Sequence, residues 1–421
     1  MSKARPMIVV LLALATTGLP SGPIGLPTSR ADEPKVERFT VFEPKADGYA
    51  SIRIPAILTT PGGTILAFAE GRAARADQSE NELVLKRSTD GGRTWGPLAV
   101  IASERPKSLN NPCVVRDARK GRIWLMYQSY PGGIGERDER LTDGIEGDRI
   151  VRNHLIFSDD EGTTWSTPRD VTAATKRPQG VTTLASGPGV GIQLTRGPHA
   201  GRLIIPFNEG PWERWNVFAV FSDDGGETWN LGGTVPNNLI DNDKGGQVST
   251  INEVQMVELE DGSIRYNARR WAGTPTRKTG ISRDGGATWS GVEDVTDLSD
   301  PSCMASILRY GFATATSKGR ILFSSPDGTR RANGTIHLSH DDGATWPINR
   351  VLEPGGFAYS CLTVLPDGDI GCLYETGNYA SIVFARFPLA WLAPPNPDHF
   401  NPTNESGGVQ PGRVESSGGH E

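Results

Sequence analysis

The sequence predicts an all-β fold of the propeller type, and three observations carry that prediction. An eight-residue box, S-x-D-x-G-x-T-W, occurs five times, at residues 88–95, 158–165, 222–229, 282–289 and 339–346. The first residues of successive boxes lie 70, 64, 60 and 57 positions apart. Self-similarity at such a period marks a radial or solenoidal array. Before the boxes come runs such as NELVLKR, HLIFS, NVFAVFS and TIHLS, with the alternation and β-branched content of strands. Fifty-one glycines and 31 prolines, with few long helical patterns, suit a chain rich in turns. The period accommodates about four short strands, which is one propeller blade. Within each box Asp and Gly supply side-chain-to-backbone hydrogen bonds and positive φ, and Thr and Trp restart a strand. The boxes therefore read as folding devices on the rim, remote from chemistry.

Taken in order, the chain begins with a segment outside that pattern. Lys3 and Arg5 precede an apolar run over residues 7–15, followed by Gly and Pro breakers and then Ser29-Arg30-Ala31. Residues 1–31 read as a secretory signal peptide cleaved after Ala31, so a periplasmic or extracellular product is expected. The run is too short to span a bilayer and no later stretch is longer, so membrane insertion is not expected. Residues 32–393 read as one domain, and 394–421, rich in Pro, Asn, Gly, Ser and Glu, as a disordered tail. A net charge of −6 argues against a general nucleic-acid or anionic-membrane surface. Any anionic ligand must then be held by a local cluster of cations. Six scattered histidines show no ligand spacing, and neither a metal nor another cofactor is expected. A monomer is expected. Cys361 and Cys372 flank a turn at residues 366–369, which leaves a bridge or buried free thiols open.

Chemistry gathers at several stations. Arg53 lies in the apolar run SIRIPAI, where a cation needs a partner or snorkels to a surface. AFAEGR follows, with Glu70 and Arg72, and then Asp77 in a polar loop. Asn111-Pro112 opens the next unit, and the charged stretch 135–148 reads as a solvated insertion, with a cation site or a leaving-group contact as the alternative. A glycine-rich segment, 185–194, permits close backbone approach. Trp212 and Trp215 sit in a loop, either capping a core or packing on a ligand. Asn252-Glu253-Val254 starts a hairpin that turns at 260–262 and returns through Arg269 and Arg270, which alternate in direction on a strand. Arg330-Arg331-Ala332-Asn333 precedes the fifth box, and the N-x-T sequon at Asn333 reads as accidental. Tyr359, the turn at 365–368 and the strand GCLYE ending in Glu375 close the series.

These boxes and stations resemble those of the sialidases (neuraminidases) over residues 40–392, whose fold is a six-bladed β-propeller. A mean box spacing of about 63 divides residues 36–393 into nearly six units. The resemblance implies that Arg53, Arg269 (with Arg270 as the alternative) and Arg331 (with Arg330 as the alternative) clamp a substrate carboxylate. It implies Asp77 as acid/base, Tyr359 as nucleophile, Glu253 as its base and Glu375 as the brace of Arg53. Glu70, Arg72 and Asn111 are implied as contacts to the sugar ring. The chemistry is self-consistent. A guanidinium fork matches a carboxylate, and a neutral phenol avoids the like-charge repulsion that a carboxylate nucleophile would meet at an anomeric carbon bearing its own carboxylate. The expectation is an exo-α-sialidase acting on sialylated glycans with retention, by steps that require no metal. A trans-sialidase, a hydrolase of a deaminated sialic acid, and a non-catalytic sialoglycan-binding propeller are the alternatives.

Overall fold

The structure, a computed structural model, describes residues 34–393. The expectations for the signal peptide (1–31) and the tail (394–421) lie outside the described residues. The fold is an all-β propeller built from antiparallel meanders. Ser51–Thr59, Ile65–Arg72, Glu82–Ser88 and Ala99–Ala102 form one four-stranded sheet, and Ile251–Glu258, Ile264–Arg270, Thr276–Ser282 and Glu293–Ser299 form another. Ser108–Arg116 leads a sheet that is extended on its inner side by the parallel strand Gly189–Val190. The seven-stranded sheet runs from Ser306–Gly311 through the 17-residue strand Ile348–Val364 to Ser381–Phe387. Its far edge is Glu37–Phe42, from the start of the described chain, paired antiparallel with Ser381–Phe387. The two ends of the ring are thereby stitched together.

Burial explains the strand composition. Ile65–Arg72 and Ile251–Glu258 are buried along their whole lengths, so both faces favour apolar side chains. Each fully buried Ile, Leu or Val contributes roughly 1.5–3 kcal/mol relative to exposure. The polar residues within such strands are therefore conspicuous.

The boxes form one repeated hydrogen-bond motif. Ser88 Oγ donates to Asp90 Oδ1 at 2.8 Å and accepts from the Gly92 amide at 2.9 Å. Asp90 also accepts from the Thr94 amide at 2.9 Å and the Thr94 hydroxyl at 2.6 Å. The other four boxes repeat these bonds. Gly92, at φ +86°, is needed twice over, because a Cβ there would meet Phe384 Cε1 at 2.1 Å.

All four cysteines are buried free thiols. Cys361 pairs with Leu373 and Leu362 with Cys372 in the ladder, so the two thiols occupy opposite faces and pack in different apolar clusters. This excludes the Cys361–Cys372 bridge left open by the sequence.

Four strands carry the same irregularity, with two residues opposing one. Ile54 and Pro55 oppose Ala69, and Asn111 and Pro112 oppose Tyr127. Asn252 and Glu253 oppose Arg269, and Ala358 and Tyr359 oppose Glu375. A bulge of this kind re-aims side chains and increases local twist. It also accommodates Pro55 and Pro112, which have no amide proton to give a ladder.

Replacing Asp224, which anchors the third box, by Ala is expected to lower the unfolding free energy by roughly 1–3 kcal/mol in urea titrations without altering ligand binding. Acid should act on the same motif. Hydrogen bonds from Thr94 and Thr164 hold the Asp90 and Asp160 carboxyls down to about 2. A depressed carboxylate stabilises the fold fully above its unfolded value of ~4, and that contribution fades as pH falls towards 2. Thermal melts between pH 5 and pH 2 should show it.

Candidate functional site

The bulged ends of these strands converge on a cleft of about 280 Å³ lined by Arg53, Arg269, Arg331, Tyr359, Glu253 and Asp77, with Glu70, Arg72 and Asn111 on one side. Every site residue expected from the sequence except Glu375 lines this cleft directly. Glu375 lies behind it.

Each cation has its own support. Arg53 Nε and Nη2 donate to the two oxygens of Glu375 at 2.9 and 3.0 Å, a bidentate pair. The Glu375 side chain is 1% exposed and also accepts the Ile54 amide at 2.9 Å and the Tyr359 amide at 3.2 Å. Those bonds hold Ile54 at φ +63°, strained for a β-branched residue, so the brace fixes Arg53 and the nucleophile candidate together. Burial works against the Arg53 charge, but Glu375 outweighs it and the guanidinium is held more firmly protonated than usual. Arg269 Nη1 donates to Glu253 Oε2 at 2.6 Å and to the Tyr359 hydroxyl at 2.9 Å, and its buried Nε has no partner among the described residues. Arg331 Nη2 donates to the Ser302 carbonyl at 2.6 Å and Nη1 to the Tyr379 hydroxyl at 2.9 Å.

Of the sequence alternatives, Arg270 turns away, its Nε donating to the Gly273 carbonyl at 3.0 Å. Arg330 is not among the cleft residues, whereas Arg331 is. Strand alternation accounts for the divergence of Arg269 and Arg270.

The Tyr359 hydroxyl lies 2.6 and 2.7 Å from the two Glu253 oxygens, and the residue is 6% exposed. Burial, then Glu253, pushes the phenol well above its ordinary value, while the three arginines pull the other way. It is therefore a neutral phenol in the resting site, with a proton acceptor in contact.

Asp77 sits at the mouth, its side chain 64% exposed, with Arg72 Nη1 at 2.8 Å and Arg53 Nη1 at 3.9 Å. Partial burial raises its carboxyl, but Arg72 and then Arg53 outweigh this and the net shift is downward. Arg72 is 1% exposed and also grips Glu70 through Nε and Nη2 at 2.8 and 2.6 Å. Glu70 in turn accepts the Asn111 amide at 2.7 Å, with Asn111 at φ +56°. The chain Asn111–Glu70–Arg72–Asp77 thus aims the mouth carboxylate from the neighbouring bulge.

One expectation is overturned. The insertion at 135–148 is not wholly solvated, because Ile134 and Leu141 are buried in the adjacent core and pull the loop inward. Its Glu136 lines the cleft, with the Glu136 amide donating to Gln78 Oε1 at 3.2 Å. Burial, then Asp77 and Glu253, pushes the Glu136 carboxyl up to about 8. Arg137 stacks 4.2 Å above Trp212, which meets Trp215 and Trp271 edge to face at 5.6 and 5.1 Å. Trp215 is 1% exposed and both caps the core and walls the cleft.

Sequence reasoning missed Glu136, Trp271 and Tyr379. Tyr379 lies under Arg53 at 4.2 Å, four residues beyond Glu375 in the same hairpin. That proximity was a usable signal. Glu136 offered none, since its loop is charged throughout.

The propeller with its repeated boxes falls in the class of BNR-repeat proteins, since the BNR repeat-like domain family matches residues 63–372. Sequence comparison narrows it. The chain is 35% identical to a sialidase of Micromonospora viridifaciens over 87% of its length and 29% identical to one of Bacteroides fragilis over 82%. It spans 56% and 63% of the lengths of those two proteins. Among solved structures, a Hadza microbial sialidase superimposes with a TM-score of 0.74 at 29% identity, covering 84% of this chain and 69% of its own. This chain belongs to the sialidase family with BNR repeats.

Glu136 generates a pH prediction. Below about 8 it is protonated and neutral, and as pH rises through 8 it adds a negative charge to the cleft. Binding of a small sugar carboxylate in the cleft, followed by NMR titration, should weaken several-fold between pH 7 and pH 9. That alkaline limb should vanish in Glu136→Gln.

Proposed function

We propose that the protein is an exo-α-sialidase that releases terminal sialic acids from glycans with retention of configuration. The observation that carries this reading is the Tyr359 hydroxyl, in contact with both Glu253 oxygens and Arg269 and flanked by the Arg53 and Arg331 guanidinium groups, each within 5.4 Å of its ring centroid. The similarity to named sialidases supports the same reading.

Arg53, Arg269 and Arg331 receive the substrate carboxylate through their guanidinium groups. The phenol is a poor nucleophile while protonated, so Glu253 removes its proton as the oxygen attacks the anomeric carbon. Asp77 gives its proton to the departing glycosidic oxygen, and the sugar is left on Tyr359. Water then enters from the mouth. Asp77 takes its proton as the hydroxyl displaces the phenolate, which recovers its own proton from Glu253. In the empty cleft Arg72 and Arg53 favour ionised Asp77. A bound substrate carboxylate compensates Arg53 and weakens that hold, so the acid is armed by the ligand it serves.

The experiment is hydrolysis of a fluorogenic sialoside. Asp77→Ala should lose roughly 10²–10⁴ in rate. Tyr359→Phe should lose most turnover while still binding free sialic acid. Parent-like rates in both variants would refute the assignment. NMR of the first product should show the retained anomer as free sugar; appearance of the sugar on an added glycan acceptor would mark a transferase instead.

A further inference from the structure

The three guanidinium groups of the cleft are not supported alike. Arg53 and Arg269 rest on Glu375 and Glu253, but Arg331 forms no ion pair among the described residues. Its strongest contact is the Ser302 carbonyl at 2.6 Å. The placement of Arg331 therefore depends, beside its bond to the Tyr379 hydroxyl, on the placement of Ser302, which lies in the loop between Glu293–Ser299 and Ser306–Gly311 at φ +55°. A serine is not held there by its own preference.

What holds it is a buried carboxylate two residues earlier. The Asp300 side chain is fully buried and accepts three donors. Oδ1 takes the Cys303 amide at 2.9 Å, while Oδ2 takes the Arg270 amide at 2.6 Å and Arg277 Nη1 at 3.0 Å. Arg277, also buried, donates from the same nitrogen to the Cys303 carbonyl at 2.7 Å and through Nε to Asn267 Oδ1 at 2.7 Å. The loop is clamped before Ser302 by Asp300 and after it by both backbone groups of Cys303. Arg270 reaches the Ser302 hydroxyl at 3.4 Å from the side.

The same carboxylate grips the peptide that follows Arg269. One buried group is thus bonded one residue from Arg269 and flanks the anchor of Arg331. A buried ion pair is weak support for stability, since apolar replacements are often neutral or better. Stability alone does not account for it.

We infer that Asp300, paired with Arg277, is a positioning residue that sets the separation and aim of Arg269 and Arg331, and hence the geometry in which the cleft receives a substrate carboxylate. This rests on the carboxylate-clamp reading above. An amide at 300 has one accepting oxygen, so it cannot serve the amides of Cys303 and Arg270 together.

The test uses Asp300→Asn and the companion Asp300→Asn/Arg277→Gln, which removes the stranded buried cation and protects the fold. KM and kcat are measured on a fluorogenic sialoside, the Kd of free N-acetylneuraminic acid by NMR titration, and melting temperature by calorimetry. KM and Kd should rise about tenfold, the scale of one weakened charge-assisted hydrogen bond, with kcat changed less. The rise should persist in the companion at a melting temperature close to the parent's. Added to Arg331→Met, Asp300→Asn should cost less than it does in the parent, because the share it exerts through Arg331 is already gone and only the share through Arg269 remains. Unchanged KM and Kd in the companion, or losses that multiply with Arg331→Met, would overturn the inference. A parent that binds sialic acid but cleaves no sialoside would instead sink the enzymatic reading, and the Kd values would still decide the role of Asp300.

Discussion

Convergence of like charge is the constraint on which this structure turns. Arg53, Arg269 and Arg331 share one cleft, and an isolated cation there would be expelled or would need heavy solvation. Each is therefore tied from behind. Glu375 neutralises Arg53 with a bidentate pair, Glu253 neutralises Arg269, and Arg331 is held by a carbonyl and a phenol. The rings of Tyr359 and Tyr379 lie against guanidinium faces and offer further electron density. What remains is a concentration of positive potential with donors still to spend, which selects an anionic guest.

The backbone solves the accompanying problem of aim. A regular strand alternates its side chains, so the residues needed at the hub would fall on both faces. The two-against-one bulges break that alternation at the required places. Two of them set a candidate catalytic residue beside its own partner, Glu253 against Arg269 and Tyr359 against Glu375, each sixteen positions apart. Positive φ at Ile54 and Asn111 belongs to the same device, with strain borne by the bonds to Glu375 and Glu70.

Much of this was legible in the chain. The boxes encode their own hydrogen bonds, because Ser, Asp, Gly and Thr are all within one turn, so their reading needed no tertiary information. Alternation put Arg269 and Arg270 on opposite faces and the spacing from Glu253, matched to the family, picked Arg269, while Arg53, Glu253 and Tyr359 stood out by their place in motifs. Glu136 could not be read, since its position depends on where Ile134 and Leu141 find a core. Nor could the cysteines be settled, because one step of register decides which face each thiol takes. Contacts between sequence-distant segments, such as Asp300 with Arg277 and Arg270, leave no local mark.

The stitch between Glu37–Phe42 and Ser381–Phe387 has a consequence for the life of the chain. Arg53 waits for Glu375, 322 residues later, and the nucleophile candidate and its brace both belong to the final turns of the ring. During synthesis, early meanders can collapse on their own apolar faces while the hub stays unassembled. The hub is complete only when the last strands of the ring pair with the first. A nascent or proteolytically shortened product lacking those strands would have Arg53 without Glu375 and no Tyr359 at the hub.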